Sequence, residues 1–335
     1  TKAMDSLTQI VLGASVGEVV LGRKIGNRAP LYGAIAGTIP DLDVLTGYFL
    51  DTVTAIEVHR GFSHSIIFSV LFAPLFGYLL SFFESKATWK ELSWLMFWGL
   101  FTHPLLDAFT TWGTQLFWPL DIQLAFKSIF VIDPIYTLPF LFCLIMAMRK
   151  PKASLQRRKW NYWGIGLSST YLLVGIFLKF FSYQAFQNAL KVQDISYIEL
   201  QNRPAPFTTL LWSANVKTEE GFYIGDYSFF DTKEIDFKFY PKNKHLAEEF
   251  VQENDLQRLK KISEGWYTFT LNDDNQLFFN DLRFGLLSFE PEENRFVFSY
   301  RLYHDDNGFQ VEEFRKTPDD GKALMIQLWE RIKGN

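Results

Sequence analysis

The stretch HRGFSHS at residues 59–65 places two of the chain's five histidines, an arginine and two serines directly before an apolar run. Charged and titratable side chains are costly beside a lipid bilayer, so their presence there indicates a function. A third histidine, His103, precedes Asp107 by four residues, which puts both side chains on one face of a helix. This spacing suits two ligands of one metal ion.

The motif IPDLD adds Asp41 and Asp43 to the candidate ligands, because a helix ending at the proline would present both carboxylates in a turn. His59 and His64 are five residues apart, which suits one ligand in a loop and one at a helix start. Three histidines and three carboxylates form a mixed nitrogen and oxygen set that favours Zn²⁺, with Mn²⁺ or Fe²⁺ as alternatives. Magnesium prefers an all-oxygen set.

A metal ion held in this way lowers the pKa of bound water to ~7 and supplies hydroxide at neutral pH. Arg60, between the two histidines, is suited to holding an anionic oxygen through two hydrogen bonds. Asp43 or Asp5 is then available as a base or as a partner of a ligand. The residue types therefore predict hydrolysis of an ester, with a phosphoester favoured.

Each residue also has a simpler interpretation. A histidine at a membrane interface often serves as an anchor, and His103 with Asp107 is compatible with a hydrogen bond between helices. Ser63 is a candidate helix N-cap, and Asp133, before Pro134, can simply begin a helix. The roles of Ser63, Asp133 and Gln9 stay open. We favour a metal site because three histidines and several aspartates are expected to converge.

The elements that would position these residues are apolar segments. A membrane-spanning helix needs about 20 residues. Segments that meet or approach this length are 65–83, 91–112, 129–148 and 160–181, with shorter candidates at 6–21 and 30–45. The pattern predicts an all-α polytopic membrane domain of about six helices over residues 4–183.

The orientation follows from the basic residues of the short loops. The loops 22–29, 84–90 and 149–159 hold eleven lysines and arginines, whereas 46–64 and 113–128 hold only Arg60 and Lys127. We therefore expect a multi-pass protein of the bacterial inner membrane with its active site outside the cytoplasm. We expect no cleavable signal peptide and a natural start at Met4.

Residues 190–335 alternate aromatic or branched side chains with polar ones, which is typical of antiparallel strands. The sequences LNDDNQL and HDDNGF have turn chemistry, and we favour turns over calcium sites there. Residues 244–263 and 318–333 have helical patterns. The sequence thus predicts a soluble, extracytoplasmic α+β domain.

The composition excludes some classes of function. The formal net charge of −4 provides no basic field, so we expect no nucleic-acid partner. Cys143 is the only cysteine, which rules out a disulfide within the chain. The absence of an H-E-x-x-H motif argues against a zinc protease of that type.

The blocks MDSLTQIVLGASVGE, GTIPDLD, HRGFSHS and HPLLDAFTTWGT, with the DP pair at 133–134, resemble the YdjM-like proteins. These are predicted membrane-bound, metal-dependent hydrolases of bacteria and archaea. The resemblance covers roughly residues 4–150. It implies an integral inner-membrane enzyme whose ligands are Asp41, His59, His64, His103 and Asp107, with Asp5 and Asp43 close by.

More distantly, the order Asp…His…His-x3-Asp is similar to that of zinc-dependent phospholipase C and the P1-type nucleases. Those enzymes cut phosphodiesters with up to three zinc ions. The chain lacks the later histidines of that pattern, since no residue from 108 to 244 is a histidine. We therefore expect one or two ions.

Three classes of function follow. The favoured one is a membrane metallohydrolase acting on a lipid-like or other amphiphilic substrate at the outer face of the bilayer. A transporter or ion-binding protein is the second, although its charged residues would be expected along a path across the membrane. The third is a structural or sensor protein in which a metal only holds helices together.

Overall fold

The computed structural model describes residues 2–288, 295–306, 308–314 and 321–335, with side chains from residue 7 onward. The chain divides into two compact units. The first contains Thr1–Phe49, Val58–Phe177 and Pro206–Thr208, and the second contains Leu50–Glu57, Leu178–Ala205 and Thr209–Asn335. The expected domain boundary, between residues 183 and 190, falls inside one long helix.

The α-helices of the described residues are α1 (Lys2–Ile25), α2 (Arg28–Thr38), α3 (Thr52–Val58), α4 (Ile66–Ser81), α5 (Trp89–Asp107), α6 (Pro134–Met148), α7 (Leu155–Val192), α8 (Asn254–Ile262) and α9 (Gly321–Ile332). Shorter 3₁₀ segments are Pro40–Tyr48, Phe62–His64 and Lys244–Phe250. The first unit is built from α1, α2, α4, α5, α6 and most of α7.

Helices α1 and α2 cross at very short range through glycines. A Cβ atom on Gly13 would collide with the carbonyl oxygen of Gly33, and one on Gly37 would meet the carbonyl of Gln9. Small residues at a crossing allow two helix backbones to approach closely. The crossing brings the end of α2, and the segment after it, beside the start of α1.

Local sequence signals explain where the site-bearing elements begin and end. Pro40 cannot continue the hydrogen bonding of α2, so the chain turns into the 3₁₀ segment that carries Asp41. Thr88 and Glu91 form a capping box that starts α5, and α5 ends at Asp107. Ser65, rather than the expected Ser63, caps α4 by accepting a hydrogen bond from the backbone N–H of Phe68.

Two apolar clusters stabilise the first unit. One joins α1, α2, α4 and α5 through buried residues such as Ala36, Leu92, Leu95 and Leu100. The other joins α1, the end of α5, α6 and α7. Helix α5 contributes to both clusters, so its last turn is held on two sides.

The second unit contains two four-stranded antiparallel sheets. The first has the order β1 (Glu199–Pro204), β2 (Leu211–Lys217), β3 (Gly221–Ser228), β4 (Phe237–Pro241). The second has the order β5 (Tyr267–Leu271), β6 (Leu277–Leu286), β7 (Phe296–Asp305), β8 (Gly308–Glu313). The expected α+β character of this part is thus confirmed.

The prediction of an all-α polytopic domain with about six membrane helices is wrong. Three of the apolar segments form helices shorter than the roughly 20 residues that a span needs, with 11 residues in α2, 16 in α4 and 15 in α6. Among the described residues, one helix, α7, is long and apolar enough to cross a membrane, and the bent pair Thr52–His64 and Ile66–Ser81 passes only when taken together. The length of an apolar stretch therefore does not give the length of the helix that it forms.

Candidate metal centre

Four of the predicted ligands converge in the first unit. Asp41, His64, His103 and Asp107 each offer one ligand atom, and these atoms all lie within 4.8 Å of one another. Asp41 comes from the 3₁₀ segment after α2, His64 from the turn before α4, and the other two from the last turns of α5. Three separate parts of the chain therefore meet at one point.

The distances between the donor atoms are nearly equal. The Nε2 atoms of His64 and His103 are 3.2 Å apart. Asp107 Oδ2 lies 3.3 Å from each of them, and Asp41 Oδ1 lies 3.5 Å from His64 Nε2 and 3.3 Å from His103 Nε2. The oxygens of Asp41 and Asp107 lie within 4.8 Å of one another, so all four donor atoms are close enough to bind one ion.

The donor set fits a metal ion chemically as well as geometrically. Asp107 Oδ2 is buried and accepts no hydrogen bond from any described residue, which is costly for a carboxylate oxygen unless a cation compensates it. Two imidazoles and two carboxylates suit Zn²⁺, Mn²⁺ or Fe²⁺. The four residues are therefore a possible metal site of undetermined metal identity.

The outer nitrogen of each imidazole is already engaged. His103 Nδ1 lies 2.6 Å from the carbonyl oxygen of Gly37, and His64 Nδ1 lies 2.9 Å from Ser63 Oγ and 3.4 Å from Asp43 Oδ2. Partners at one ring nitrogen orient the ring and leave the other nitrogen available as a ligand. Both Nε2 atoms are thus directed into the cluster. The acceptor at Gly37 is a backbone carbonyl oxygen, so the residue types in the sequence could not indicate this contact.

Asp43 organises the residues next to the cluster. Its carboxylate accepts hydrogen bonds from the backbone N–H of Arg60 at 2.8 Å and from Ser63 Oγ at 3.1 Å, and lies 3.0 Å from His59 Nδ1. Burial raises the pKa of the Asp43 carboxyl, but hydrogen bonds with His59 and His64 outweigh it and hold the pKa below its usual value. Asp43 is therefore an anion beside the site.

The electrostatics of Asp41 follow the same balance. Burial raises the pKa of the Asp41 carboxyl, but hydrogen bonds with His103 and His64 lower it by a larger amount. The pKa therefore lies below its usual value. Its side chain is 18% exposed, whereas those of His64, His103 and Asp107 are 3% exposed or less. Asp41 is thus the ligand on the accessible side of the cluster.

His59, the fifth predicted ligand, lies outside the group of four. Its Nδ1 faces Asp43, and its ring packs edge-on against His64 and Trp112. The side chain is 28% exposed, and its Nε2 atom has no hydrogen-bond partner among the described residues. His59 and Asp43 therefore form a hydrogen-bonded pair beside the four ligands.

Arg60 is buried and has a left-handed backbone, with φ of 58°. This uncommon conformation for a non-glycine residue directs its N–H towards Asp43 while the side chain reaches α5. Its Nη1 donates to Thr110 Oγ1 at 3.0 Å, and its Nη2 lies 3.5 Å from Asp107 Oδ1. Arg60 thus connects Asp43 with Asp107.

Gln9, whose role the sequence left open, holds the other side of Asp107. Its Nε2 donates to Asp107 Oδ1 at 2.9 Å and to the carbonyl oxygen of His103 at 3.3 Å. Because both neighbours are acceptors, the amide nitrogen must face them. The Gln9 Oε1 atom is buried without a partner, and Gln9 lines a small cavity of about 10 Å³ between α1, α5 and the start of α6.

The remaining sequence candidates have other positions. Asp133 caps α6 by accepting from the N–H groups of Ile135 and Tyr136, and it also accepts from the Tyr171 hydroxyl at 2.8 Å. Its carboxylate is therefore engaged by structural donors. The side chain of Asp5 lies outside the described residues.

Comparison with known proteins adds one finding. No curated protein and no solved structure matches the chain. A family model matches residues 4–181, more than half of the chain and all four converging ligands. The chain belongs to the YdjM inner membrane protein family.

Proposed function

We propose that the protein is a metal-dependent hydrolase that cleaves an ester, with a phosphoester of a lipid-like substrate favoured. The observation that carries the proposal is the convergence of donor atoms from Asp41, His64, His103 and Asp107, with further polar residues around them. A bound divalent cation would lower the pKa of coordinated water to ~7 and polarise a phosphoryl oxygen.

Access to such a cation depends on Asp41. If all four residues held one cation, a water or substrate oxygen would reach it only where one of these side chains made room. Asp41 is the most exposed of the four and lies on a short 3₁₀ segment. We propose that this carboxylate yields space for the substrate.

Proton transfer is assigned to His59. Asp43 holds the Nδ1 side of the ring, and Nε2 is without a protein partner among the described residues. A histidine oriented by a carboxylate is suited to pass a proton to a leaving-group oxygen, an effect of about 10²–10⁴-fold in rate. This role replaces a ligand role for His59 in our proposal.

Arg60 and Gln9 are proposed to position Asp107. Both donate to or lie beside Asp107 Oδ1, which leaves Oδ2 for the cation. Arg60 also offsets part of the negative charge that two ligating aspartates create. Contact of Arg60 with an anionic substrate oxygen remains a prediction.

A structural metal site is the second candidate, because a closed set of four ligands is typical of structural zinc. Such sites are usually rich in cysteine, whereas this set contains two aspartates and no cysteine. A purely structural ion would also not need the His59–Asp43 pair. We therefore favour catalysis.

The His59→Ala variant separates the two candidates. Purified full-length protein would be assayed for bound metal by mass spectrometry and for hydrolysis of phosphodiesters and phospholipids. Catalysis predicts unchanged metal content and a loss of about 10²–10⁴-fold in kcat, with His245→Ala, an exposed histidine of the second unit, as the control. If the wild-type protein binds one metal ion but hydrolyses none of the esters, the structural role is the candidate that remains.

A further inference from the structure

Helix α9 of the second unit exposes an apolar face. Met325, Ile326 and Trp329 are 51%, 54% and 60% exposed, whereas Leu328 is buried. Residues three and four apart lie side by side on a helix, so Trp329 adjoins both Met325 and Ile326. Large exposed apolar side chains that cluster in this way mark a surface that binds an apolar partner.

Hydrogen bonds fix the level of strand β1 against α7. Lys179 Nζ donates to the carbonyl oxygen of Asn202 at 2.9 Å, and Asn202 Nδ2 donates to the Lys179 carbonyl at 2.9 Å and to Ser182 Oγ at 2.7 Å. Two residues earlier, Leu200 belongs to the same apolar cluster as Leu190, which lies further along α7. Strand β1 therefore runs back along α7, and its last residue lies towards the preceding, apolar part of that helix.

The strand pairing carries this level across the first sheet to α9. Pro204 pairs with Trp212, and the neighbouring Leu211 pairs with Ser228, so these residues lie at one end of the sheet. Ser228 Oγ donates to the carbonyl oxygen of Ile332, in the last turn of α9, at 2.5 Å. The last turn of α9 is therefore at the end of the sheet that lies towards the apolar part of α7.

An ion pair holds α9 at this end of the sheet. Arg331 Nη1 and Nη2 donate to the two carboxylate oxygens of Asp231 at 2.6 and 2.7 Å, and Asp231 comes three residues after Ser228. Phe230, beside Asp231, is 55% exposed and adds to the apolar surface.

Helix α7 sets the level of the bilayer. Among the described residues it is the one helix that is long and apolar enough to cross a membrane, and only 17% of its most apolar stretch is buried. Lys179 lies near the end of the apolar run, where a lysine side chain reaches the headgroup level. The end of the sheet that carries α9 is thus at the level where α7 leaves the bilayer.

We propose that α9 lies in the surface of the bilayer that α7 crosses, with Met325, Ile326 and Trp329 inserted among the lipid headgroups. Tryptophan is enriched at this depth because its ring is apolar and its N–H is polar. Lys333 Nζ lies 5.6 Å from the centre of the Trp329 ring, so a positive charge stands beside the inserted face. Helices that lie in a lipid surface combine apolar and basic side chains in this way.

A lipid surface suits this face better than a second protein chain. A specific protein interface buries about 800 Å² on each partner, far more than a few half-exposed side chains provide. Insertion into lipid needs no such area, since full burial of one large apolar side chain contributes about 1.5–3 kcal/mol. The position of α9 at the end of the span brings the bilayer to it.

Spin labels on α9 test the inference in the full-length protein. In a Cys143→Ala background, Met325→Cys and Ala323→Cys would each carry a nitroxide, with the protein in phosphatidylcholine nanodiscs. The two positions are exposed and lie about 160° apart around the helix. Molecular oxygen concentrates in lipid, whereas nickel ethylenediaminediacetate stays in water. The label at position 325 should collide more often with oxygen than with the nickel complex, and the label at position 323 should show the reverse.

Three results at position 325 would overturn the inference. A label that collides more often with the nickel complex would place the face in water. A label shielded from both reagents would show that protein covers the face. In that case broadening between two spins would identify a second copy, and its absence would identify another part of the same chain.

A charge on the inserted face provides a second test. Trp329→Asp should reverse the preference of the label at position 325 from oxygen to the nickel complex, because a carboxylate is costly to remove from water. Leu271→Asp is the matched control, since Leu271 is an exposed leucine of β5, and it should leave the preference unchanged. Trp329→Gln is a milder variant for use if Trp329→Asp unfolds. An unchanged preference in a folded Trp329 variant would contradict insertion of this face.

Discussion

The Nε2 atoms of His64 and His103 lie 3.2 Å apart and face the same two carboxylates. Two imidazole nitrogens at this distance must share either a proton or a cation, because two lone pairs would repel. Each ring has a partner at Nδ1, which leaves Nε2 as a ligand atom. The pair therefore lies at the centre of the candidate metal site.

Replacing His103 with alanine is expected to abolish metal binding. The substitution removes one of the four donor atoms and leaves the negative charges of Asp41 and Asp107 less well compensated. Elemental analysis should give one metal ion per wild-type chain and less than about one tenth in His103→Ala. His245→Ala should retain the full content, and metal retained in folded His103→Ala would refute the site.

Replacing Asp43 with asparagine should weaken metal binding without abolishing it. An amide cannot accept at both of its terminal atoms, so contacts to Arg60, Ser63 or the histidines must be lost. Loss of a partner that orients a ligand typically costs 10–100-fold in metal affinity, and about this increase in Kd is expected in competition with a chelator. Asp273→Asn, at an exposed turn of the second unit, is the control, and an unchanged Kd would contradict the role of Asp43.

Gln9→Leu is expected to destabilise the centre. Asp107 Oδ1 would lose a donor at 2.9 Å and the carbonyl of His103 would lose another. An unsatisfied buried acceptor costs about 1–3 kcal/mol, and the free energy of unfolding should fall by this amount. Gln9→Glu should be worse, because its carboxylate would face that of Asp107. Equal stability of all three proteins would show that the Gln9 contacts are unimportant.

Gly33→Ala should disturb the crossing of α1 and α2. Its new Cβ would meet the backbone of Gly13 and Gly17, which cannot rotate away as a flexible side chain can. Overpacking of this kind costs about 1–3 kcal/mol and should lower the thermal unfolding temperature. Gly166→Ala is the matched control in α7, since nothing lies within 4 Å of its new Cβ. The same shift in both variants would contradict the crossing.

The second unit is expected to lie outside the cytoplasm. The basic segment 149–159 overlaps the first residues of α7, and basic flanks remain on the cytoplasmic side. In a Cys143→Ala background, Asp273→Cys should react with a membrane-impermeant maleimide in spheroplasts, whereas Ala153→Cys should react only after lysis. The reverse pattern would place the unit in the cytoplasm.

Much of the site could be predicted because the residue types show which side chains can bind a metal. His103 and Asp107 share a helix face by spacing alone, and His64 and Asp41 are of the types that bind metal. The position of His59 could not be predicted, because a loop places a side chain by its backbone angles. Here the left-handed Arg60 directs His59 and His64 to different positions around Asp43.

The fold was predicted less well, because composition shows how long an apolar segment is but not where the helices within it begin and end. Residues 30–45 read as one short span, yet Pro40 ends the helix and turns the chain into a segment with Asp41. The alternation of apolar and polar side chains in the C-terminal half was more informative, because a repeat of two residues has few interpretations other than a strand.

The order of the donors along the chain has a consequence for biosynthesis. The four ligands, together with Gln9, Gly37, Asp43 and Arg60, all precede residue 108, and none comes from a β-strand. A nascent chain has therefore delivered its complete donor set before the ribosome has begun either sheet. The segment Leu50–Glu57, between Asp43 and His59, belongs to the second unit, so it can pack only after that unit has been synthesised.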